Sequence, residues 1–282
     1  MRILIRYLGP LTLMLYAANS AAASPMIFST GDPDGRIGTA SRPSSAGKIE
    51  IESADDFLLS SQTQIDGATF TGLLTGGATL ANVGEVRVQI YRIFPEDSTS
   101  PPSGSVPSRA NSPSDVAFDD RDSTTATLSF AITTLGSFTA ANSVINGIHG
   151  IPNQTTGGEG SATGVEVQFN VTFATPFLLP ADHYFFVPQV EVSGGQFFWL
   201  SAVGPALFSG DLQAWIRNED LAPDWLRVGT DIVDGNDSPR FNASFSLNGD
   251  TVPEPASLTL LASGLLVGGW GSLRTKRRSR RS

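Results

Sequence analysis

The sequence predicts an all-β protein built as a single two-sheet β-sandwich of jelly-roll type. Residues 86–94, 165–173 and 241–247 alternate apolar and polar side chains, as strands with one buried face do. Gly, Pro, Asn and Asp cluster between such segments, as turns require. No stretch between the two ends of the chain keeps a 3.6-residue apolar period. Eight or more strands in about 225 residues fit one sandwich.

The remaining strands follow from shorter apolar runs. They are predicted at residues 48–51, 63–74, 125–133, 184–192 and 197–203. Residues 211–218 are compatible with a helical turn or two. No internal repeat and no shift in composition indicates a second domain, so residues 24–251 are assigned to one β-sandwich domain.

Two segments interrupt the strand pattern. Residues 96–115 are rich in Pro and Ser and predict an exposed loop. Residues 142–164 carry six glycines and His149, one of two histidines in the chain. Long loops on a rigid sandwich often hold binding sites, but a Gly-rich segment is often only a long connection. Both interpretations stay open.

The first 23 residues predict a secretory signal peptide. Arg2 and Arg6 supply a positively charged start, and residues 7–18 are apolar. A cleavage site of the A-x-A type follows at Ala21 and Ala23. Such a segment is removed on export and takes no part in the fold.

The C-terminal end predicts a sorting signal over residues 252–282. Pro253, Glu254 and Pro255 precede an uncharged apolar run at residues 256–273. As a helix, this run would span about 27 Å of a hydrocarbon core of about 30 Å. Residues 274–282 contain six Arg and Lys, so the positive-inside rule places them in the cytoplasm.

The combination of a Pro-Glu-Pro element, one transmembrane helix and a basic tail resembles the PEP-CTERM sorting signal. The resemblance implies recognition by an exosortase, a membrane-embedded cysteine transpeptidase of Gram-negative bacteria. In that case Pro253, Glu254 and Pro255 are the sorting and processing residues. The alternative is a plain membrane anchor that is never processed.

The middle of the chain has a resemblance of its own. Ala54-Asp55-Asp56-Phe57, followed by residues 65–74 and 86–94, is similar to the opening of a group of exported bacterial β-sandwich proteins with PEP-CTERM tails. Other blocks of similarity lie at residues 111–115, 153–160, 179–185 and 222–225. The likeness spans most of residues 30–248. It implies a fold and export, and carries no activity with it.

Charge and cysteine content narrow the function classes. Of the 18 Lys and Arg, two lie in the signal peptide and six in the tail, which leaves 10 against 27 Asp and Glu. The exported part therefore has a net charge of about −17, which disfavours nucleic acid and anionic lipid as partners. The chain has no Cys, which removes thiol chemistry, and a domain of this size needs no disulfides to fold.

The sequence lacks the common catalytic motifs, such as a Gly-x-Ser-x-Gly elbow or His-Glu-x-x-His. His149 and His183 are the only imidazoles, and neither lies beside a recognisable nucleophile. His183 is predicted to be a structural residue, hydrogen-bonded at the start of a strand. The protein is therefore predicted not to be an enzyme. The alternative is a glycan-active hydrolase, which needs two acids roughly 5–10 Å apart.

Asp-rich segments at residues 32–35, 119–122 and 231–237 indicate a calcium site. They put several oxygen ligands on short turns, and Ca²⁺ takes six to eight such ligands. The favoured set is Asp231, Asp234 and Asp237. Asp and Asn also favour turns by bonding their own backbone, which is the alternative explanation. Structural Ca²⁺ is the one cofactor that the sequence indicates.

Tryptophans supply a candidate binding surface. A sugar ring packs its C–H face on an indole while nearby Asp, Asn and Arg bond the hydroxyls. The predicted polysaccharide-binding patch consists of Trp215, Arg217, Asn218, Asp224, Trp225 and Arg227. The alternative is that these tryptophans, with Trp199, close the end of the sandwich core.

Together these features predict a protein that begins as an inner-membrane precursor with a cytoplasmic C-terminus. Its destination is the cell surface or extracellular matrix of a Gram-negative bacterium. The predicted partners are the Sec export machinery, an exosortase and exopolysaccharide. The predicted role is structural or adhesive; a glycan-active hydrolase and a surface protein retained in the membrane are the alternatives.

Overall fold

The computed structural model describes residues 25–45, 47–149, 155–203, 210–233 and 241–252. The predicted signal peptide, with Ala21 and Ala23, lies outside the described residues. So do the Pro-Glu-Pro element and the predicted membrane helix at 256–273. Within the described ranges, no helix is long and apolar enough to cross a membrane.

The described residues form fifteen strands and two short helical turns. The strands are β1 (Met26–Ser29), β2 (Pro33–Ala40), β3 (Ile51–Leu59), β4 (Thr63–Thr75), β5 (Val83–Arg92), β6 (Asp119–Asp122), β7 (Leu128–Ala140), β8 (Asn142–Val144), β9 (Ala162–Leu179), β10 (Asp182–Val192), β11 (Gln196–Ala202), β12 (Trp215–Asn218), β13 (Leu226–Arg227), β14 (Asn242–Ala243) and β15 (Phe245–Thr251). A 3₁₀ turn at Leu80–Asn82 precedes β5, and a π-helical turn at Val228–Val233 follows β13.

The strands build two sheets that pack as a sandwich, so the predicted all-β class is confirmed. The smaller sheet has the order β13-β12-β3-β10-β5-β6. The larger, nine-stranded sheet has the order β1-β15-β4-β11-β2-β8, with β9 and then β7 added on the other side of β4 and β14 paired to β11. All ladders are antiparallel except the one between β2 and β8.

Strand β4 organises the larger sheet. One of its sides pairs with β9 from Thr63 to Leu74. Its other side pairs first with β15, from Thr63 to Phe70, and then with β11, from Gly72 to Thr75. At Gly72 an added Cβ would stand 2.1 Å from the Phe197 ring, so the crossing of β4 and β11 requires a glycine there. This single strand therefore joins the two halves of the larger sheet.

The main core lies between the sheets and is dominated by aromatic side chains. Phe70 of β4 stacks on Phe169 of β9 with ring centroids 4.8 Å apart. Phe186 of β10 stacks on Phe245 of β15 at 5.0 Å and so joins one sheet to the other. Each such ring, once removed from water, stabilises the fold by about 1.5–3 kcal/mol.

The alternating segments form strands as predicted, and their apolar faces point inward. In β5 the residues Val86, Val88 and Ile90 are buried, and in β9 the buried residues include Val167 and Phe169. Strand β9 extends well beyond the predicted range, to 18 residues, because its pairing with the long strand β4 continues where the sequence alternation stops. Strand β5 begins three residues earlier than predicted and ends two residues earlier, and the segment predicted at 241–247 is divided between β14 and β15.

Two secondary-structure predictions are wrong. Residues 211–218 contain no helix; their end forms β12, which pairs with β3 and β13. The strand predicted at 48–51 begins only at Ile51 and continues to Leu59. Asp55 and Asp56 interrupt the apolar pattern of β3, yet both are buried, so alternation could not reveal this strand.

Candidate functional site: a pocket bordered by three segments

Three separate segments of the chain enclose a pocket of about 340 Å³. One is the Pro- and Ser-rich segment at residues 96–115, here called the strap. The second is the Gly-rich segment after β8, and the third is the connection between β12 and β13. The lining residues are Ser103, Ser105, Ile148, His149, Asn218, Asp220, Leu221, Ala222 and Pro223.

Asn218 holds two of the three pocket walls together. Its side-chain amide donates to the carbonyl of Ile148 at 3.1 Å. Its side-chain oxygen accepts from the backbone N–H of Leu221 at 2.9 Å. Because both ends of the amide are engaged, Asn218 positions the pocket walls.

Ser103 places the third wall. Its backbone N–H donates to Oδ2 of Asp224 at 3.2 Å, and its hydroxyl donates to the same oxygen. The N–H of Ser105 in turn donates to the Ser103 hydroxyl at 3.0 Å. The tip of the strap is therefore tied to the base of the pocket by one buried carboxylate.

The pocket lining combines an apolar floor with a few polar groups. Ile148 and Leu221 are buried, and Pro223 lies beside them. Asp220 is exposed at the rim. Nδ1 of His149 is buried without a hydrogen-bond partner among the described residues. A neutral imidazole nitrogen either donates or accepts, so His149 keeps hydrogen-bonding capacity that no described residue uses.

A buried arginine anchors the strap from below. Arg109 is 2 % exposed, and its guanidinium contacts Asp224 at 2.9 Å and Asp115 at 3.0 Å. The same guanidinium donates to the Ser112 hydroxyl at 3.1 Å and lies 4.4 Å above the ring of Phe94. Burying this charge is tolerable only because two carboxylates and several oxygens surround it.

A second buried arginine lies beneath the pocket, on β12. Arg217 bonds Glu52 of β3, and it donates to the hydroxyl of Tyr91 at 2.9 Å. Its guanidinium lies 4.3 Å above the Trp225 ring. Burial lowers the pKa of Arg217, but the Glu52 carboxylate and the Tyr91 hydroxyl outweigh this and leave the pKa above its ordinary value. Burial, with Glu52, raises the pKa of Tyr91.

The strap is exposed over residues 99–104, as its composition predicts, but its C-terminal part is buried. Ser112 and Ser114 are fully buried, and Ser114 accepts the indole N–H of Trp225 at 3.1 Å. The backbone of Phe94 bonds the carbonyl of Ser112 at 2.8 Å. Composition predicts the lack of regular structure, but it cannot reveal the ion pair between Arg109 and Asp224, which are distant in sequence and tie the strap to the connection between β12 and β13.

Most residues of the predicted polysaccharide-binding patch are buried, so they do not form a binding surface. Trp215 and Trp225 are 1 % and 0 % exposed, and Asp224 and Arg217 are also buried. Of the six predicted residues, Asn218 alone lines the pocket, and only Arg227 and Asn218 are partly exposed. The exposed tryptophan platform that sugar stacking needs is not present at these positions, because both indoles are buried. The strap bonds the Trp225 indole, and the Trp215 indole donates to the carbonyl of Leu212 at 3.1 Å. Trp199 is likewise buried in the main core.

In the structure Asp231, the first residue of the predicted calcium set, pairs with an arginine. Both oxygens of Asp231 bind the guanidinium of Arg227, at 2.7 and 3.0 Å. Asp234 and Asp237 lie outside the described residues. Within the part of the chain that the structure describes, no group of three or more His, Cys, Asp or Glu is arranged to hold a metal ion.

The other Asp-rich segments serve the backbone and neighbouring arginines. Asp34 accepts the N–H of Arg36 at 3.0 Å and the hydroxyl of Ser201 at 2.5 Å. In β6, Asp119 pairs with Arg121 at 2.6 Å. These contacts agree with the alternative explanation from turn chemistry.

Asp55 and Asp56 of β3 form a buried acidic pair away from the pocket. Oδ2 of Asp55 accepts the N–H of Ala243 at 2.8 Å and so links the smaller sheet to β14 of the larger one. Nε2 of His183 lies 2.5 Å from Asp56, which agrees with its predicted structural role at the start of a strand. Burial, reinforced by Asp56, raises the pKa of Asp55 well above its ordinary value. Burial also raises the pKa of Asp56, although His183 opposes the shift.

Sequence reasoning identified the segments of the pocket better than its residues. The strap and the Gly-rich loop were both singled out, and the third wall lies within the predicted patch region. Ser103, Ser105, His149 and Asp220 were not predicted as ligand contacts. The one available signal was a histidine within a long Gly-rich loop, which fits a binding loop as well as a connection.

Comparison with known proteins bears on the tail. Residues 251–278 match the family model described as the PEP-CTERM protein-sorting motif. No match to the chain is found among curated proteins or among solved structures. The matched stretch contains the Pro-Glu-Pro element, the apolar run and much of the basic tail, so the resemblance is confirmed. The chain carries a PEP-CTERM sorting motif, which implies an exported, surface-targeted protein recognised by an exosortase.

Proposed function

We propose that this chain is a structural or adhesive protein of the cell surface or extracellular matrix that holds polysaccharide in the pocket. The sorting motif at residues 251–278 carries the proposal, because a protein addressed to the surface meets the cell's own exopolysaccharide there. In this scheme the Sec machinery exports the precursor, the inner membrane holds it through the helix at 256–273, and the exosortase cuts the tail.

The chemistry of the pocket supports a sugar ligand. Its volume of about 340 Å³ lies at the small end of the roughly 300–1,000 Å³ range of ligand pockets. Leu221 and Pro223 offer an apolar surface to the C–H face of a ring. His149 and Asp220 line the pocket, and an imidazole and a carboxylate are groups that bond sugar hydroxyls. In this proposal the pocket lining takes the sugar-binding role that the sequence assigned to the tryptophans.

The same lining favours binding over glycoside hydrolysis. Hydrolysis uses two carboxyl groups that face each other across the bond to be cut. Among the described lining residues, Asp220 is the single carboxylate, because Asp224 lies below the surface in contact with Arg109 and Ser103. We therefore extend the proposal to a protein without enzymatic activity.

The first experiment measures retention of the purified full-length chain, in detergent, on the host's exopolysaccharide. The variant His149→Ala with Asp220→Asn is expected to weaken retention by about tenfold, since each lost hydrogen bond is worth about 0.5–1.5 kcal/mol. Asp120→Asn is the matched control, because Asp120 is an exposed aspartate on β6, outside the pocket lining.

The outcomes separate the parts of the proposal. Equal retention of the double variant and the control would remove the pocket as the site. No retention of the wild-type chain would remove polysaccharide binding and leave a structural role. Retention that EDTA abolishes would support structural Ca²⁺ bound by the segment that contains Asp234 and Asp237. Shortened glycan chains after incubation would instead identify a hydrolase.

Processing of the tail is tested separately by mass spectrometry of the surface-exposed protein. Loss of the residues that follow the Pro-Glu-Pro element is expected in a host with an exosortase. An intact tail at residues 256–282 would show that the protein is retained in the membrane, which is the alternative that the sequence left open.

A further inference from the structure

The edge strands of the two sheets differ in length and charge. Among the described residues, β1, β6, β8, β13 and β14 stand at ends of the strand order, and each has at most four residues. β6 consists of three aspartates and an arginine. Short or charged edges are the usual means by which proteins prevent a further strand from pairing.

Strand β7 is neither short nor charged, and its pairing with β9 is regular except for a bulge between Thr134 and Gly136. It has 13 residues, it contains neither charge nor proline, and among the described strands it pairs only with β9. Its C-terminal end is occupied, because the N–H of Ala141 bonds the carbonyl of Gly35 at 2.9 Å. From Leu128 to Thr134, ahead of the bulge, the side of the strand that faces away from β9 pairs with no other described strand, so its backbone groups are open to a partner.

The side chains of this edge are also suited to a partner. Leu135 is 50 % exposed. Phe130 and Ile132 pack against the main core but are only partly buried, and no described strand pairs with β7 on its outer side. A strand added to β7 would complete their burial and satisfy the open backbone groups at the same time.

The lack of charge on β7 allows a second copy of this chain to pair with its open edge. Like charges directly opposite each other destabilise a strand pair, and two copies of a strongly acidic protein repel over most of their surface. The chain has no Asp, Glu, Lys or Arg between Asp122 and Glu159. Two β7 strands therefore meet without charge repulsion along the ladder in any register.

We propose that two copies of this chain pair through the open edges of their β7 strands, antiparallel, to form one continuous sheet across a two-fold dimer. This goes beyond the proposed polysaccharide binding and does not depend on it. A two-fold contact uses the same edge on both copies and closes the assembly at two. The contact is small, so we expect a weak dimer, with Kd of about 1 µM or higher. High local concentration at a surface favours such weak pairing.

The test measures the mass of the full-length chain in detergent by sedimentation, from about 1 µM to about 1 mM protein, a range that brackets such a Kd. The variant Thr133→Lys with Leu135→Lys is expected to raise the dimer Kd about tenfold or more, because two lysines are added to each of the paired edges and like charges repel along the ladder. Both residues are exposed, so the fold is retained. Thr172→Lys is the matched control, as it adds a charge at an exposed threonine of β9, one strand in from the edge.

Cross-linking provides an independent measurement, since the chain has no native cysteine. Thr133→Cys is expected to form an intermolecular disulfide under mild oxidation, and Asp120→Cys on the charged edge β6 is expected to remain monomeric. A wild-type chain that stays monomeric over the whole range would overturn the proposal. So would a dimer that the β7 lysines and the Thr172→Lys control weaken equally. Assemblies larger than two that persist in the lysine variant would overturn it as well.

Discussion

The two flanks of the sandwich use charge in opposite ways. On the outer face of the smaller sheet, the strap covers Trp225, and the guanidinium groups of Arg109 and Arg217 are buried among carboxylates. On the larger sheet, the edge strand β7 has no charged residue. The first flank is closed by side chains, whereas the second ends in open backbone groups.

This difference shows which groups remain available to a partner. A buried arginine with two carboxylates has its interactions fixed inside the fold, and breaking them costs several kcal/mol. Backbone groups on an open edge bind a partner without first breaking anything inside the molecule. The buried ion pairs at the strap are therefore structural, whereas the uncharged edge of β7 is suited to association with a partner.

The largest expected effect is on the covered flank. Trp225→Ala should lower the free energy of unfolding by about 3–5 kcal/mol, because the indole is fully buried. The change also removes the hydrogen bond to Ser114 and the contact with Arg217. Urea unfolding followed by circular dichroism measures the loss.

Leu135→Ala on β7 is the control for this prediction. Leu135 is half exposed, so its truncation should change stability by no more than about 0.5 kcal/mol. Similar losses for Trp225→Ala and Leu135→Ala would contradict the contrast between a closed flank and an open one. They would also reopen the case for Trp225 as a ligand platform.

Removal of Arg109 from its buried ion pairs should lower the free energy of unfolding nearly as much. Arg109→Ala leaves Asp224 and Asp115 without their cation, and removal of one partner from a buried pair costs about 3–5 kcal/mol. Arg36→Ala is the control, because this exposed arginine lies 3.9 Å from Asp34 and such surface pairs contribute about 0–1 kcal/mol. Thermal unfolding at neutral pH compares the two. If both variants lost the same small amount, Arg109 would not anchor the strap.

Acid is expected to have a smaller effect: it should destabilise the strap but not the flank that ends at β7. Hydrogen bonding to Arg92 lowers the pKa of Asp97 below its ordinary value of 3.8. Burial acts to raise the pKa of Asp115, but hydrogen bonds from Ser100, Arg109 and Thr99 outweigh it and lower that pKa as well. Because the folded values are depressed, the stability from both groups is present above pH 3.8 and is lost as pH falls through the folded values.

Hydrogen exchange of backbone amides measures this local loss. As pH falls below about 4, the exchange of strap amides, corrected for the intrinsic pH effect, should accelerate before that of β9. Burial, with Asp32, raises the pKa of Glu166 in β9, so protonation of this group does not remove stability from the strand. In Asp115→Asn the pH dependence of the strap should be reduced. Simultaneous loss of protection in the strap and in β9 would show instead that acid acts on the whole fold.

Prediction from sequence succeeded where one signal dominates. The alternation in β5 and β9 is strong because each strand has one face in the main core, and Val88 and Phe169 are fully buried. It failed at β3 and β12, where Asp55 and Arg217 are buried with distant partners. Periodicity cannot detect a buried charge, since its partner is absent from the local sequence. Local sequence also does not show that Trp215 and Trp225 are buried, which is why they resemble a binding platform.

By itself, the sequence determined the all-β class and the sorting motif at residues 251–278, because both depend on local order: alternation in one case and a contiguous motif in the other. The tertiary structure alone decided that the strap is anchored, that Trp215 and Trp225 are covered, and that three separate segments enclose a pocket. It also decided that β7 is an edge. These features depend on contacts between residues far apart in the chain, such as Arg109 and Asp224, and only folding brings those together.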